Sequence, residues 1–127
     1  MTAHDISIRN KLITSIKQRN ESRFRVFDNT GEDKEVIAGQ FPDVIFKQKE
    51  PPPNNNILFV MKIETSGDLV NSVPLWQALG SVSSVFYIVV PKDKIDEAKK
   101  LASIAGVRTR FAWYELEGGE VKQVHYE

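Results

Sequence analysis

Three charged side chains in this sequence could do chemistry together: Asp43, Lys62 and Glu64. Lys62 and Glu64 are two positions apart at the end of an otherwise apolar run, so on a β-strand they point to one face of the sheet. Charges in such a strand are costly unless they are paired or exposed at the strand end. Asp43 stands at the start of an earlier strand-like run. We therefore predict a cluster of two carboxylates and one ammonium, open to solvent.

The pairing of the two runs decides whether Asp43 and Glu64 meet. A loop of three prolines and three asparagines, residues 51–56, joins the runs. If the strands pair symmetrically about that loop, Asp43 lies beside Glu64, and Lys62 lies one step along the same face.

Such a cluster is suited to a divalent metal. Carboxylate oxygens are the hard ligands that Mg²⁺ prefers, and Mg²⁺ needs few protein ligands because it keeps several waters. The metal could polarise a phosphodiester and activate a water, while Lys62 could orient that water or stabilise developing charge. The amide of Gln77 could support the site. Spacing alone leaves two alternatives open: a salt-bridge cluster at a sheet edge, and a solvent-facing helix position for Gln77.

The elements that must position these residues follow from periodicity. Apolar residues at helical spacing predict a first helix over 5–19, and Asp5 is its expected cap. Asn71 or Ser72 can cap a second helix that ends near Gly80, and Asp93 opens a third that ends at Gly106. Strands are predicted near 23–28, 42–48, 57–64, 85–90 and 109–116, followed by a hairpin arm over 121–126.

This order predicts an α/β fold with a mixed sheet: α-β-β-β-α-β, then α-β and a C-terminal hairpin arm. The strand that contains Val60 should be central, since it is apolar on both faces. We expect one domain over residues 1–127. The predicted core is Leu12, Ile16, Leu58, Val60, Trp76, Ile88, Val90, Leu101 and Ala102.

Composition narrows the function classes. The 127 residues include 17 Lys+Arg and 17 Asp+Glu, so the net charge does not indicate a nucleic-acid partner. The charge is unevenly distributed, since six basic residues fall within positions 1–25. There is no cysteine, which excludes disulfides and thiolate metal sites and fits a cytoplasmic location. No apolar run approaches the length of a membrane span.

The chain resembles the PD-(D/E)xK, or restriction-endonuclease-like, nuclease superfamily. The resemblance rests on Pro42-Asp43, on a charged pair at i and i+2 that ends a hydrophobic strand, and on the helix, meander and crossover order. The segment Ile63-Glu64-Thr65-Ser66-Gly67, then Trp76-Gln77, then residues 86–91, is similar to small bacterial families of this kind. The similarity covers roughly residues 5–116. It implies Mg²⁺- or Mn²⁺-dependent cleavage of DNA or RNA, with Asp43 and Glu64 as metal ligands.

One departure from the family pattern leaves the activity open. The usual order is acid, any residue, lysine, whereas this chain has Lys62-Ile63-Glu64. Either the two roles have exchanged places, or the site has lost a ligand. The alternative function is therefore an inactive nuclease-fold module for binding or assembly, as a homo-oligomer or with a partner chain.

Overall fold

The structure is a computed structural model that describes residues 3–29, 42–49, 57–65, 68–82 and 85–127. The helices and strands follow the predicted order, with each predicted strand within one to two residues of its observed ends. They are α1 (Ala3–Asn20), β1 (Phe24–Asp28), β2 (Val44–Gln48), β3 (Ile57–Ile63), α2 (Val73–Val82), β4 (Phe86–Pro91), α3 (Ile95–Ala105), β5 (Arg110–Glu117) and β6 (Glu120–Tyr126).

The six strands form one mixed sheet in the order β1-β2-β3-β4-β5-β6. The first three strands are antiparallel neighbours, β3, β4 and β5 run parallel, and β6 returns antiparallel to β5. The prediction that β3 lies inside the sheet, between β2 and β4, is confirmed. Parallel neighbours place the carboxyl ends of β3, β4 and β5 at the same edge of the sheet.

Each face of the sheet carries a separate core because side chains alternate along each strand. The apolar stripe of α1, which includes Leu12 and Ile16, packs on one face with Met61 and Ile63 of β3. On the other face α2 and α3 pack against residues such as Val60 and Ile88. Of the predicted core, Leu58 and Leu101 are only partly buried, whereas the remaining seven residues are buried.

Short 3-10 turns precede two of the helices. Ser72 ends the turn over Val70–Ser72 and stands directly before α2, which begins at Val73, in agreement with the predicted start of this helix. Asp93 lies in a second 3-10 turn, Lys92–Lys94, which precedes α3. The predicted stop at Gly106 is confirmed, because this residue has φ of 69° at the end of α3.

The predicted loop over 51–56 falls outside the described residues. Within the residues that the structure describes, no helix is long and apolar enough to cross a membrane.

Candidate functional site

Asp43 lies immediately before β2, where its backbone N–H donates to the Met61 carbonyl oxygen at 2.9 Å. Its carboxylate accepts a hydrogen bond from the Ile63 N–H at 2.7 Å and one from the Lys62 ammonium at 3.2 Å. Arg9 of α1 places a guanidinium nitrogen 3.7 Å from the other carboxylate oxygen. Asp43 is only 6% exposed, so these contacts compensate for the loss of hydration.

The Lys62 ammonium is shared between two oxygen atoms. Besides its bond to Asp43, it lies 3.4 Å from the carbonyl oxygen of Ile63. The Lys62 side chain is mostly buried, so the positive charge is held against these oxygens with limited access to water. A carboxylate and a carbonyl that converge on a cation are the kinds of oxygen that also bind Mg²⁺.

Glu64 follows β3, and its N–H donates to the Val89 carbonyl oxygen of β4 at 2.8 Å. Its carboxylate turns toward α2 and accepts hydrogen bonds from Ser72 Oγ at 3.0 Å and Trp76 Nε1 at 3.2 Å. Tyr114 of β5 donates its hydroxyl to the Glu64 carbonyl oxygen at 2.9 Å. Glu64 is thus fixed by hydrogen bonds from three elements that surround the end of β3.

Burial raises the pKa of Glu64 above its ordinary value of 4.5. The main cause is desolvation of the carboxylate, and the charge on Asp43 adds to it. The positive charge of Lys62 and the hydrogen bonds from Ser72 and Trp76 act in the opposite direction. The two predicted carboxylates and the predicted lysine therefore interact electrostatically.

The predicted geometry is only partly correct. Asp43 and Lys62 are in direct contact, but the Glu64 carboxylate contacts Ser72 and Trp76 instead of lying beside Asp43. The reason is the register of β2 and β3: Val44 pairs with Met61, two residues away from the symmetric pairing. The prediction of an open cluster is also wrong, since Asp43 and Glu64 are each 6% exposed.

Gln77 is placed away from this cluster. Its side chain is exposed, and its amide donates to the Ala105 carbonyl oxygen of α3 at 3.2 Å. The side chain therefore links α2 to α3 and does not contact Asp43, Lys62 or Glu64. The interpretation of Gln77 as a helix residue at the surface describes this position better than a supporting role.

Sequence reasoning missed Arg9 and the polar roles of Ser72 and Trp76. Arg9 flanks the apolar stripe of α1, between Ile8 and Leu12, a position from which a long side chain can reach the sheet edge. Trp76 carried a usable signal, because a buried indole N–H usually has a hydrogen-bond acceptor. Glu64 is the acceptor that the structure supplies.

The fit of a divalent metal can be tested on these oxygens. No group of three or more His, Cys, Asp or Glu side chains converges within the described part of the chain. Asp43, Glu64 and the Ile63 carbonyl still offer hard oxygens of the type that Mg²⁺ and Mn²⁺ accept. A weakly held ion that keeps several waters would need Lys62 to leave Asp43 and the Glu64 carboxylate to turn from Ser72 and Trp76 toward Asp43.

No protein-family model, curated protein or solved structure matches this chain.

Proposed function

We propose that this chain is a metal-dependent phosphodiesterase of the PD-(D/E)xK type that acts on DNA or RNA through Asp43, Lys62 and Glu64. The observation that carries the proposal is the Lys62 ammonium, a cation held by Asp43 and the Ile63 carbonyl oxygen directly before Glu64. A position that already favours one cation is a reasonable place for another. The order of helix, antiparallel meander and parallel crossover, on which the resemblance to the restriction-endonuclease-like superfamily rests, is present in the fold and supports the proposal.

Asp43 and Glu64 would hold the ion, with the Ile63 carbonyl as a further oxygen. When bound, Mg²⁺ or Mn²⁺ supplies polarisation of the phosphodiester and a more acidic water. Lys62, once it leaves Asp43, is close enough to orient that water or to stabilise negative charge on the phosphate. Arg9 provides a second positive charge beside Asp43, on the side of the cluster formed by α1.

A second candidate keeps the fold without the cleavage: a nuclease-type module for binding or assembly. One observation favours it, which is that both carboxylates are already engaged. Ser72 and Trp76 hold Glu64, and Lys62 holds Asp43, so an incoming metal has to compete with bonds that the folded chain makes for itself.

A cleavage assay separates the two candidates. Labelled single-stranded DNA, duplex DNA and RNA would each be incubated with the protein in EDTA, and in Mg²⁺ or Mn²⁺ at about 10 mM. A concentration of this order is needed because a site with few protein ligands binds these ions weakly. A nuclease should cleave at least one substrate with metal only, and Asp43→Ala and Glu64→Ala should each abolish the cleavage. Absence of wild-type cleavage on all substrates would favour the binding module. Cleavage that survives loss of both carboxylates would refute the assignment of the site.

Lys99→Ala is a matched control for the charge change in a Lys62→Ala variant. Lys99 of α3 forms an ion pair with Glu127 at 2.6 Å, and this pair includes no residue of the cluster. With exchanged roles, Lys62→Ala should slow cleavage while Lys99→Ala leaves it near the wild-type rate.

A further inference from the structure

A groove at the other end of the parallel strands has the chemistry of an anion site. It encloses about 670 Å³ and lies between the C-terminal part of α2, the start of β4 and the segment that leads into β5. We call it the arginine groove; it is lined by Gly80, Ser81, Val85, Phe86, Val107, Arg108, Thr109 and Arg110. Among the described residues that line it, the charged ones are Arg108 and Arg110, and both are basic.

Arg108 and Arg110 are exposed, and within the described residues neither forms an ion pair with a carboxylate. Most of the other Lys and Arg side chains among the described residues do form such ion pairs, for example Lys11, Lys17, Lys62 and Lys99. Two guanidinium groups in one concavity, without an acid, leave their donors available to a ligand. Guanidinium matches the oxygens of a phosphate in a bidentate arrangement.

Gly80 holds the groove in shape. A β-carbon at this position would lie 2.9 Å from the Arg108 carbonyl oxygen and 3.3 Å from a methyl carbon of Val107. Only glycine lets α2 approach the backbone that carries the arginines this closely. On the other side, the Thr109 hydroxyl donates to the Phe86 carbonyl oxygen at 3.0 Å and ties this segment to β4. The arginines therefore stand on a fixed backbone.

The lining favours a phosphate backbone over an acidic protein segment. A protein partner usually needs exposed aromatic or apolar anchors at the centre of its interface. The exposed large apolar side chains of the described chain, such as Ile104 and Val70, do not line this groove, and its Phe86 is buried. What the groove offers to a ligand is positive charge and polar atoms.

We propose that the arginine groove binds the phosphate backbone of a nucleic-acid strand. The inference does not rest on the proposed cleavage, because the groove lies away from the metal cluster. The two sites can be compared along β4. Phe86 lies at the groove, and the carbonyl oxygen of Val89 accepts the Glu64 N–H at the metal cluster. These two residues are three positions apart, which corresponds to about 10 Å along the strand.

The test is binding of a fluorescein-labelled single-stranded oligonucleotide, followed by anisotropy in EDTA so that no metal contributes. For the Arg108→Ala/Arg110→Ala variant we expect about tenfold weaker binding at low salt. The slope of log K against log salt should fall in magnitude by about 1.4, since each lost phosphate contact on a single strand accounts for about 0.7. The Arg108→Lys/Arg110→Lys variant should recover most of the slope.

Lys100→Ala/Lys122→Ala is the matched control, because it removes the same charge from exposed positions on α3 and β6. Thermal melting of all variants verifies folding. Equal loss of binding in this control, or unchanged binding in the arginine variant, would overturn the proposal. Three further results would overturn it: the wild type does not bind the oligonucleotide, it binds a polyglutamate peptide more tightly, or inorganic phosphate at the same concentration of phosphate groups displaces the oligonucleotide.

Discussion

Lys62 and Asp43 form a buried ion pair, 3.2 Å apart, in which the lysine ammonium takes the place that a metal ion would need beside the carboxylate. Each charge compensates in part for the desolvation of the other. An incoming cation has to displace the ammonium and approach its positive charge.

Removing the competing ammonium should strengthen metal binding. We expect Lys62→Ala to bind Mn²⁺ about tenfold more tightly than the wild type, which corresponds to about 1.4 kcal/mol. Titration followed by the electron paramagnetic resonance of free Mn²⁺ measures this directly. In Lys99→Ala, which loses a lysine from the ion pair with Glu127, the affinity should stay unchanged. An equal gain in both variants, or no gain in Lys62→Ala, would show that Lys62 does not compete with the metal.

The raised pKa of Glu64 should appear in the pH dependence of stability. A carboxyl group whose pKa is higher in the folded than in the unfolded chain stabilises the fold when it is protonated. This contribution is present below the unfolded value, near 4.5, and is lost as the pH rises through the folded value. The free energy of unfolding of the wild type should therefore fall relative to that of Glu64→Gln as the pH rises from about 4 to 7.

Denaturant titrations of both proteins across this pH range give the difference between their free energies of unfolding. The contributions of the other titrating groups largely cancel in this difference. A difference that is flat, or that changes in favour of the wild type as the pH rises, would mean that Glu64 is better solvated or more strongly paired than its burial indicates.

Loss of the Ser72 hydroxyl should destabilise the chain because the buried Glu64 carboxylate loses one of its donors. We expect Ser72→Ala to cost about 1–3 kcal/mol in the free energy of unfolding. Ser81→Ala removes an exposed hydroxyl that bonds only within its own helix, to the Ala78 carbonyl oxygen, and should change stability little. Equal effects of the two substitutions in urea denaturation would indicate that the Ser72 bond to Glu64 contributes nothing net.

The two-sided core predicts a large difference between two isoleucines. Ile88 lies fully buried on β4, whereas Ile104 is 75% exposed on α3. Truncation of Ile88 to Ala should lower the free energy of unfolding by about 2–5 kcal/mol, while Ile104→Ala should change it by less than about 0.5 kcal/mol. Similar values for the two variants would contradict the assignment of β4 to the interior of the sheet.

Hydrophobic patterning predicted the elements and their order because burial on one or both faces is visible along a strand or helix. The runs around Val60 and Ile88 are apolar on both faces, which placed their strands inside the sheet. The partial exposure of Leu58 was not visible, since burial near a strand end depends on how far neighbouring elements extend. The turn at Gly118 and Gly119 was predictable, and both residues have positive φ.

The site was harder to predict because it depends on register and on contacts distant in sequence. A shift of two residues between β2 and β3 keeps Asp43 on the predicted face but moves it from Glu64 toward Lys62 and Ile63. Such a shift conserves the alternation of side chains, so hydrophobic pattern cannot detect it. The contacts of Arg9 and Trp76 come from helices whose placement over the strand ends is decided by packing.

The most direct test of the account is a crystal of the wild-type protein soaked in Mn²⁺ and measured for anomalous scattering. The proposed site predicts a peak between the carboxylates of Asp43 and Glu64, with the Lys62 ammonium moved away from Asp43 and the Glu64 carboxylate turned away from Ser72 and Trp76. The soak would use tens of millimolar Mn²⁺, roughly ten times the level at which a weak ion site of this kind should fill. If no peak is found at this position and Lys62 is still bound to Asp43, the proposed metal site is contradicted.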